Sequence, residues 1–312
     1  MKEMENIQIV LASDENYVQH AGVTMTSLLA NRTSFYPLTI NFIDGGVSPK
    51  NLASLEEIAT KYEANFVIHN VNVQEYENFY VSRHISKAAY YRLAISDILP
   101  NGVEKAIYLD TDVIVRRDIK ELWEIDLSNF AIGAVIDIWL KDNYDLLERL
   151  KIPVTEAYFN SGVLLINTVK WREEQIGEKV MRFLNTNDKL PFHDQDALNA
   201  ILWGRWLGLN PQWNVYKTIF HQYYKLNMKK ALGSELLNAA RDPYIVHFTG
   251  PVKPWHYACA TPYTQEYYKY LAMTPWKNYR PSDINLNSFG KRCEWILKRK
   301  IGEWVISVFD QC

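Results

Sequence analysis

Cysteine is scarce in this chain of 312 residues: Cys259, Cys293 and Cys312 are odd in number, fall late and lack the paired spacing of metal ligands. Neither a disulfide framework nor a cysteine zinc site is expected, and a reducing compartment fits best. Long apolar runs are missing too. No stretch approaches the roughly 20 residues a membrane-crossing helix needs, and Met1-Lys2-Glu3-Met4-Glu5 carries acid with no long apolar run behind it, unlike a secretory signal. Charge of one sign is also lacking. The formal net charge is -2, and nothing interleaves basic with aromatic residues as single-strand binders do, so no nucleic-acid partner is expected. Internal repeats, low-complexity segments and flexible linkers are absent as well.

What is present is a large apolar content, 48%, ample for one sizeable core or for a core with an appendage. Ile7 to Ala12 reads as a strand, Ser13-Asp14-Glu15-Asn16 as a polar turn, and Tyr17 to Ala30 as a helix. Leu38 to Ile43 reads as a strand, Asn51 to Tyr62 as an amphipathic helix and Phe66 to His69 as a third strand. This alternation predicts a parallel sheet covered by helices, with ligands beyond the carboxyl ends of its strands, where Asp14 and Asn16 fall. The first turn lacks G-x-G-x-x-G, which argues against a dinucleotide cradle. An Asp and an Asn there suit a ribose or a uracil edge better. Twenty Tyr and ten Trp would suit sugar or nucleobase sites, and core packing uses such rings as well.

The stretch Ala106 to Val115, AIYLDTDVIV, carries the most chemistry. Carboxylates interrupt so apolar a run at a cost unless partnered. Side chains two apart on an extended chain point the same way, so Asp110 and Asp112 can converge on a hard cation while Thr111 faces elsewhere; a capped turn is the equal alternative. Upstream, Ala88 to Ile98 has helical spacing and carries Arg92, which its position suits to solvent or to anionic oxygens near the cation. Ala131 to Ile136 reads as a strand ended by Asp137. Phe159-Asn160-Ser161-Gly162 precedes the strand Val163 to Asn167, where Asn160 and Gly162 are either ordinary turn residues or an amide and close backbone that meet a ligand, and a helix from Trp171 to Leu184 follows. His193-Asp194-Gln195-Asp196 heads the helix Ala197 to Leu202, where acids suit the dipole as caps. Tyr244 to His247 is a further strand; its terminal histidine is either a satisfied core histidine or, with the Gly250-Pro251 turn and Lys253 that follow, a potential metal ligand beside a potential phosphate clamp.

Six stretches in this order, ASDENY, RHIS with YYRL, YLDTDV, FNSGVLLIN, HDQD and VHFTGPVKPWH, resemble the bacterial members of glycosyltransferase family 8, notably the lipooligosaccharide α-1,4-galactosyltransferase type, over roughly residues 7 to 258. The resemblance implies an α/β GT-A fold, with a Rossmann-like, mostly parallel central sheet flanked by helices and a small helical C-terminal region. It implies a catalytic domain over 1–258, a helical region over 259–312, and retaining transfer of galactose or glucose from a UDP-sugar to a cell-surface glycan, glycolipid or glycoprotein. By that resemblance Asp110, Asp112 and His247 hold Mn2+, or Mg2+. Asp14, Asn16 and Tyr17 contact uracil and ribose, His84 and Ile85 lie by the nucleotide and diphosphate, and Gly250 and Lys253 bind the diphosphate. Arg92, Asn160, Asp194 and Gln195 surround the hexose, with Thr111 and Asp137 completing the donor pocket. Gln195 lies beneath the anomeric carbon, and Asp194 and Gln195 are the catalytic candidates. Thr111, Glu15 and Thr249 stand where relatives vary, and the loop Asn210-Pro211-Gln212-Trp213-Asn214 looks like acceptor-side surface. A non-catalytic UDP-sugar or glycan-binding protein, or a self-glucosylating primer protein, are the alternatives; the first should have lost a metal ligand, and none is lost.

In the tail, Phe289, Cys293, Ile296, Leu297, Ile301, Trp304, Val305 and Val308 fall on one helical stripe, with Lys291, Arg292, Lys298 and Arg299 off it. Such a basic amphipathic helix either packs on the domain or lies on an anionic membrane surface, which would make a cytoplasmic protein peripheral to the inner membrane.

Overall fold

The structure is a computed structural model, and it describes residues 5–81, 86–140, 142–153, 155, 157–187, 189–224 and 233–309. Apolar, β-branched runs form the expected strands β1 (Ile7–Ser13), β2 (Leu38–Asp44), β3 (Asn65–Asn70) and β4 (Lys105–Leu109). Helices α1 (Val18–Ala30) and α2 (Pro49–Lys61) connect the first three. The second helix starts earlier than its apolar spacing suggested, because Pro49 is preorganised for the first turn. In β1 every residue but Gln8 is buried, as a strand covered by helices on both faces requires.

A seven-stranded sheet has the order β3-β2-β1-β4-β7-β6-β8, with β6 at Ile132–Ile136, β7 at Phe159–Asn167 and β8 at Trp206–Gly208. Pairing is parallel throughout except where β7 inserts antiparallel between β4 and β6. The sheet is thus mostly parallel, as expected. A second sheet has the order β5-β10-β9, with β5 at Val113–Val115, β9 at Val215–Tyr216 and β10 at Ile245–His247. Separate apolar clusters fill the two faces of the large sheet, and a third lies around the small one.

Two differences from the sequence reading position the site. The apolar runs on either side of Asp110-Thr111-Asp112 belong to different sheets, so the Asp-Thr-Asp step is the corner between them. Backbone bonds pin this corner at both ends, from Asp110 N to Gly162 O at 2.9 Å and from Phe248 N to Asp112 O at 3.0 Å. Asn160, Ser161 and Gly162 are not a turn before a strand; they lie inside the nine-residue β7. Their low β-propensity suggested a turn, but Asn160 pairs with Val135 of β6 and Gly162 O accepts from Asp110 N just beyond β4, which keeps them in the strand.

Helices depart more modestly. Lys87–Ala94 is a 3-10 helix continued by a short α-helix, Ile95–Ile98, and the stretch expected to be one helix from Trp171 is two, Thr168–Glu173 and Ile176–Thr186, broken at Gln175 with φ 51°. The helix Thr264–Leu271 packs on α1, where Asn31 Nδ2 donates to Tyr270 Oη at 2.7 Å. The last helix runs over Leu286–Phe309. Arg292, expected on its solvent face, turns inward instead and donates to the carbonyls of Tyr257 and Cys259 at 2.8 Å each. Phe289, Cys293 and Leu297 are exposed, while the side chains of Lys298, Arg299, Ile301, Trp304, Val305 and Val308 lie outside those described. Among the described residues no helix is long and apolar enough to cross a membrane.

Candidate metal and donor site

The carboxyl end of β4, the start of β7 and the end of β10 meet at one point. There the ligand atoms of Asp110, Asp112 and His247 all lie within 4.8 Å of one another. His247 Nε2 is 3.3 Å from Asp112 Oδ1 and 3.7 Å from Asp110 Oδ2. A chain of buried amides fixes the ring. Gly162 N and Asn214 Nδ2 both donate to Asn160 Oδ1, at 3.1 and 2.8 Å, which leaves Asn214 Oδ1 facing His247 Nδ1 at 3.0 Å. An oxygen there calls for the proton on Nδ1, so in the neutral ring the Nε2 lone pair points at two carboxylates. Three acceptors facing one another are repulsive unless a cation lies between them. Two carboxylates and an imidazole supply the hard-oxygen-plus-nitrogen donor set that manganese accepts, so the residues fit the expected ion.

Space for it depends on a glycine. A Cβ at Gly162 would collide with the His247 ring, standing 2.6 Å from Nδ1, and would lie 2.9 Å from Asp110 Oδ2. Cationic side chains complete the cradle. Lys253 Nζ donates to Asp112 Oδ2 and to Phe248 O, the latter at 3.1 Å. Burial alone would raise the Asp112 pKa, but the Lys253 ammonium beside it holds the carboxyl below the usual carboxylate range. Gly250 turns the intervening loop with φ +86°, a conformation that favours glycine.

Arg92 is not a solvated helix arginine. It is 2% exposed, and its guanidinium lies 4.2 Å from the Tyr108 ring centroid. It donates to Ser161 O at 2.5 Å and to Asp110 Oδ1 at 2.6 Å, and its Nε stands 3.1 Å from Asp194 Oδ2. That Nε hydrogen goes to Ala89 O instead, so the Asp194 oxygen is buried without a hydrogen bond. Burial pushes the Asp194 carboxyl up to about 6, with Arg92 opposing the shift. The preceding residue, His193, has φ 53° and ψ -122°, a strained conformation at the head of the helix Asp194–Leu202.

These groups line a cavity of about 800 Å³. Tyr17, Arg92, Asp110, Thr111, Asp112, Asp137, Asn160, Asp194, Gln195, His247, Gly250 and Lys253 all face it, which brings most of the sequence candidates together. Gln195 Oε1 accepts from Ser161 N at 3.0 Å, and its Nε2 lies 3.4 Å from Asp137 Oδ2. Asp137 is itself buried, which raises its pKa. Asp14 and Asn16 stand apart. Asp14 Oδ1 accepts from Asn16 N at 2.9 Å and from Tyr17 N at 3.2 Å, its other oxygen accepts from Ser86, and neither residue lines the cavity. His84 and Ile85 lie outside the described residues. Asn214 was missed: the loop expected at the acceptor surface places it fully buried behind His247. No local pattern could have found it, because its partners are 33 and 54 positions away.

A mostly parallel α/β sheet, with an Asp-x-Asp corner and a distant histidine gathered at a cavity rim, defines the GT-A class of glycosyltransferase fold. The sequence model of the family described as Glycosyl transferase family 8 matches residues 8–259, and the chain belongs to that family. General stress protein A of Bacillus subtilis (strain 168) is 37% identical, over 91% of this chain and 100% of the relative. Lipopolysaccharide 1,2-glucosyltransferase of Escherichia coli (strain K12) is 28% identical, over 94% of this chain and 86% of the relative. Among solved structures, the galactosyltransferase LgtC in complex with donor and acceptor sugar analogues superposes with a TM-score of 0.73 at 26% identity, covering 91% of this chain and 100% of that one. An active-site mutant of LgtC superposes with a TM-score of 0.76.

Proposed function

We propose that this glycosyltransferase moves a hexose, galactose or glucose, from a UDP-sugar to a cell-surface glycan with retention of configuration and with Mn2+. The observation that carries the reading is the His247 lone pair held against Asp110 and Asp112 on the wall of the same cavity as Lys253 and the Arg92–Asp194 ion pair. Asp110, Asp112 and His247 would hold the ion. When bound it would offset charge on the departing diphosphate, a leaving group that then needs no dedicated general acid. Lys253 adds a second positive charge there, and Tyr17 offers a ring for the uracil. Asp194, ion-paired with Arg92 at 3.1 Å where it lines the cavity, would accept a hexose hydroxyl.

Gln195 is an amide and a poor nucleophile, so front-face attack is proposed. The C1–O bond to the β-phosphate breaks, the acceptor oxygen bonds to C1 on the same face, and its proton passes to the departing phosphate. Gln195, held by Ser161, steadies the developing cation, and the walls of the cavity limit hydrolysis. A panel of UDP-sugars with Mn2+, measuring UDP release with and without acceptors, is the test. Hydrolysis of one UDP-hexose and thermal stabilisation by UDP with Mn2+ are expected; neither for any donor would overturn the reading. A covalent glycosyl-enzyme trapped on Asp194 or Gln195 would overturn front-face attack.

The exposed Phe289, Cys293 and Leu297 support docking of the last helix on the anionic cytoplasmic face of the inner membrane. Deleting residues from 289 onward should abolish binding to anionic liposomes and leave UDP release intact. Unchanged liposome binding would refute the docking.

A further inference from the structure

His20 belongs to none of the roles assigned above, yet it is 3% exposed and sits behind both halves of the donor site. Its ring stacks on Trp255 with centroids 3.5 Å apart and planes 7° from parallel. Its Nδ1 is 2.6 Å from Tyr267 Oη, and the Tyr279 ring meets it edge-on at 5.9 Å. Tyr17, which faces the cavity, sets its edge against His20 at 5.9 Å and against Trp255 at 5.7 Å. Trp255 lies two residues beyond Lys253, and Lys253 N donates to His256 Nδ1 at 3.2 Å, so the same short loop carries the diphosphate lysine and the stacked indole. Burial lowers the His20 pKa to about 3, which keeps the ring neutral and suited to close stacking.

We infer that His20 is a positioning residue: by stacking on Trp255 and bonding Tyr267 it locks the base-side ring Tyr17 and the diphosphate-side loop Gly250–Trp255 into one register. This rests on the donor reading above and deepens it. One sugar nucleotide has to touch Tyr17 and Lys253 together, and these are 236 positions apart in the chain (253 minus 17). A rigid tie between them sets in advance the spacing from base to diphosphate, so less order must be created on binding. Tyr267 and Tyr279 extend the tie beyond the family-matched residues 8–259.

The test compares His20→Ala, His20→Phe and Tyr267→Phe in the full chain, by calorimetric titration of UDP into enzyme with saturating Mn2+ and by the KM and kcat of UDP-sugar hydrolysis. His20→Ala is expected to weaken UDP and raise KM about tenfold, the order an aromatic pair is worth, with kcat changed far less. His20→Phe keeps a flat ring on Trp255 and should recover most of the loss. Leu184→Ala, a core truncation remote from the cavity, controls for lost stability and should leave UDP binding unchanged. Wild-type UDP affinity in His20→Ala, or equal loss in Leu184→Ala at matched melting temperature, overturns the inference. If His20→Ala does not fold, Tyr267→Phe decides: a severalfold weaker UDP supports the tie and an unchanged affinity refutes it. Failure of the wild-type enzyme to bind UDP with Mn2+ would instead refute the donor reading.

Discussion

Two strands of the large sheet, β1 and β4, run parallel and side by side, and each is followed at its carboxyl end by an aspartate that treats its charge differently. Asp14 is satisfied by its own turn, through Asn16 N, Tyr17 N and the nearby Ser86. Asp110 is held by Arg92 and Tyr108 on one oxygen, while the other faces the histidine of a distant strand. The first arrangement is complete in itself, and the second is short of a positive charge. Equal placement on a sheet therefore does not make equal chemistry; what separates them is whether local backbone can supply the missing donors.

The contrast can be broken most severely at Gly162. Gly162→Ala should abolish high-affinity Mn2+ binding in electron paramagnetic resonance and cut UDP-sugar turnover about a hundredfold or more, since a misplacement of about 1 Å can cost that much. Wild-type metal binding in this variant would mean that the ion lies elsewhere. Asn214→Leu removes the acceptor that fixes the His247 tautomer, and should weaken Mn2+ about 10- to 100-fold while leaving the sheet intact by circular dichroism. A milder probe is pH. The Asp194 carboxyl, raised to about 6 by burial, is ionised increasingly above that value. If the carboxylate must accept a sugar hydroxyl, kcat/KM should fall about tenfold per unit below pH 6, and Asp194→Asn should be slow with that limb gone. The stability sign is opposite. The native state holds this proton more tightly than the unfolded chain, so the contribution is full below about pH 4 and is lost as pH rises through 6. The smallest effect belongs to the β1 end: Asp14→Ala should cost about 1 kcal/mol in chemical denaturation, the net worth of a hydrogen bond or two, and leave Mn2+ affinity unchanged.

Much of this contrast was legible from residues alone. Strands β1, β2 and β3 announce themselves by apolar β-branched runs, and Asp110 with Asp112 by interrupting one. The corner between sheets was not legible, because Leu109 and Val113 read as one continuous run and only their partners, Val163 on β7 and His247 on β10, tell them apart. Arg92 resembled a surface residue because helical spacing says which face a side chain is on, not what covers that face. Asn214 carried no signal at all, since its function is to hold an oxygen against a ring on another strand.

The pairing of β5 with β10 has one more consequence, for biosynthesis. Within the described small sheet β5 hydrogen-bonds to β10 alone, and β10 ends 137 positions after Asp110 (247 minus 110). Over those 137 positions a nascent chain therefore carries its two aspartates with neither the histidine nor the strand that orients them. Until that strand emerges, the pair is an ordinary acidic bend, and the candidate metal site lacks its third ligand.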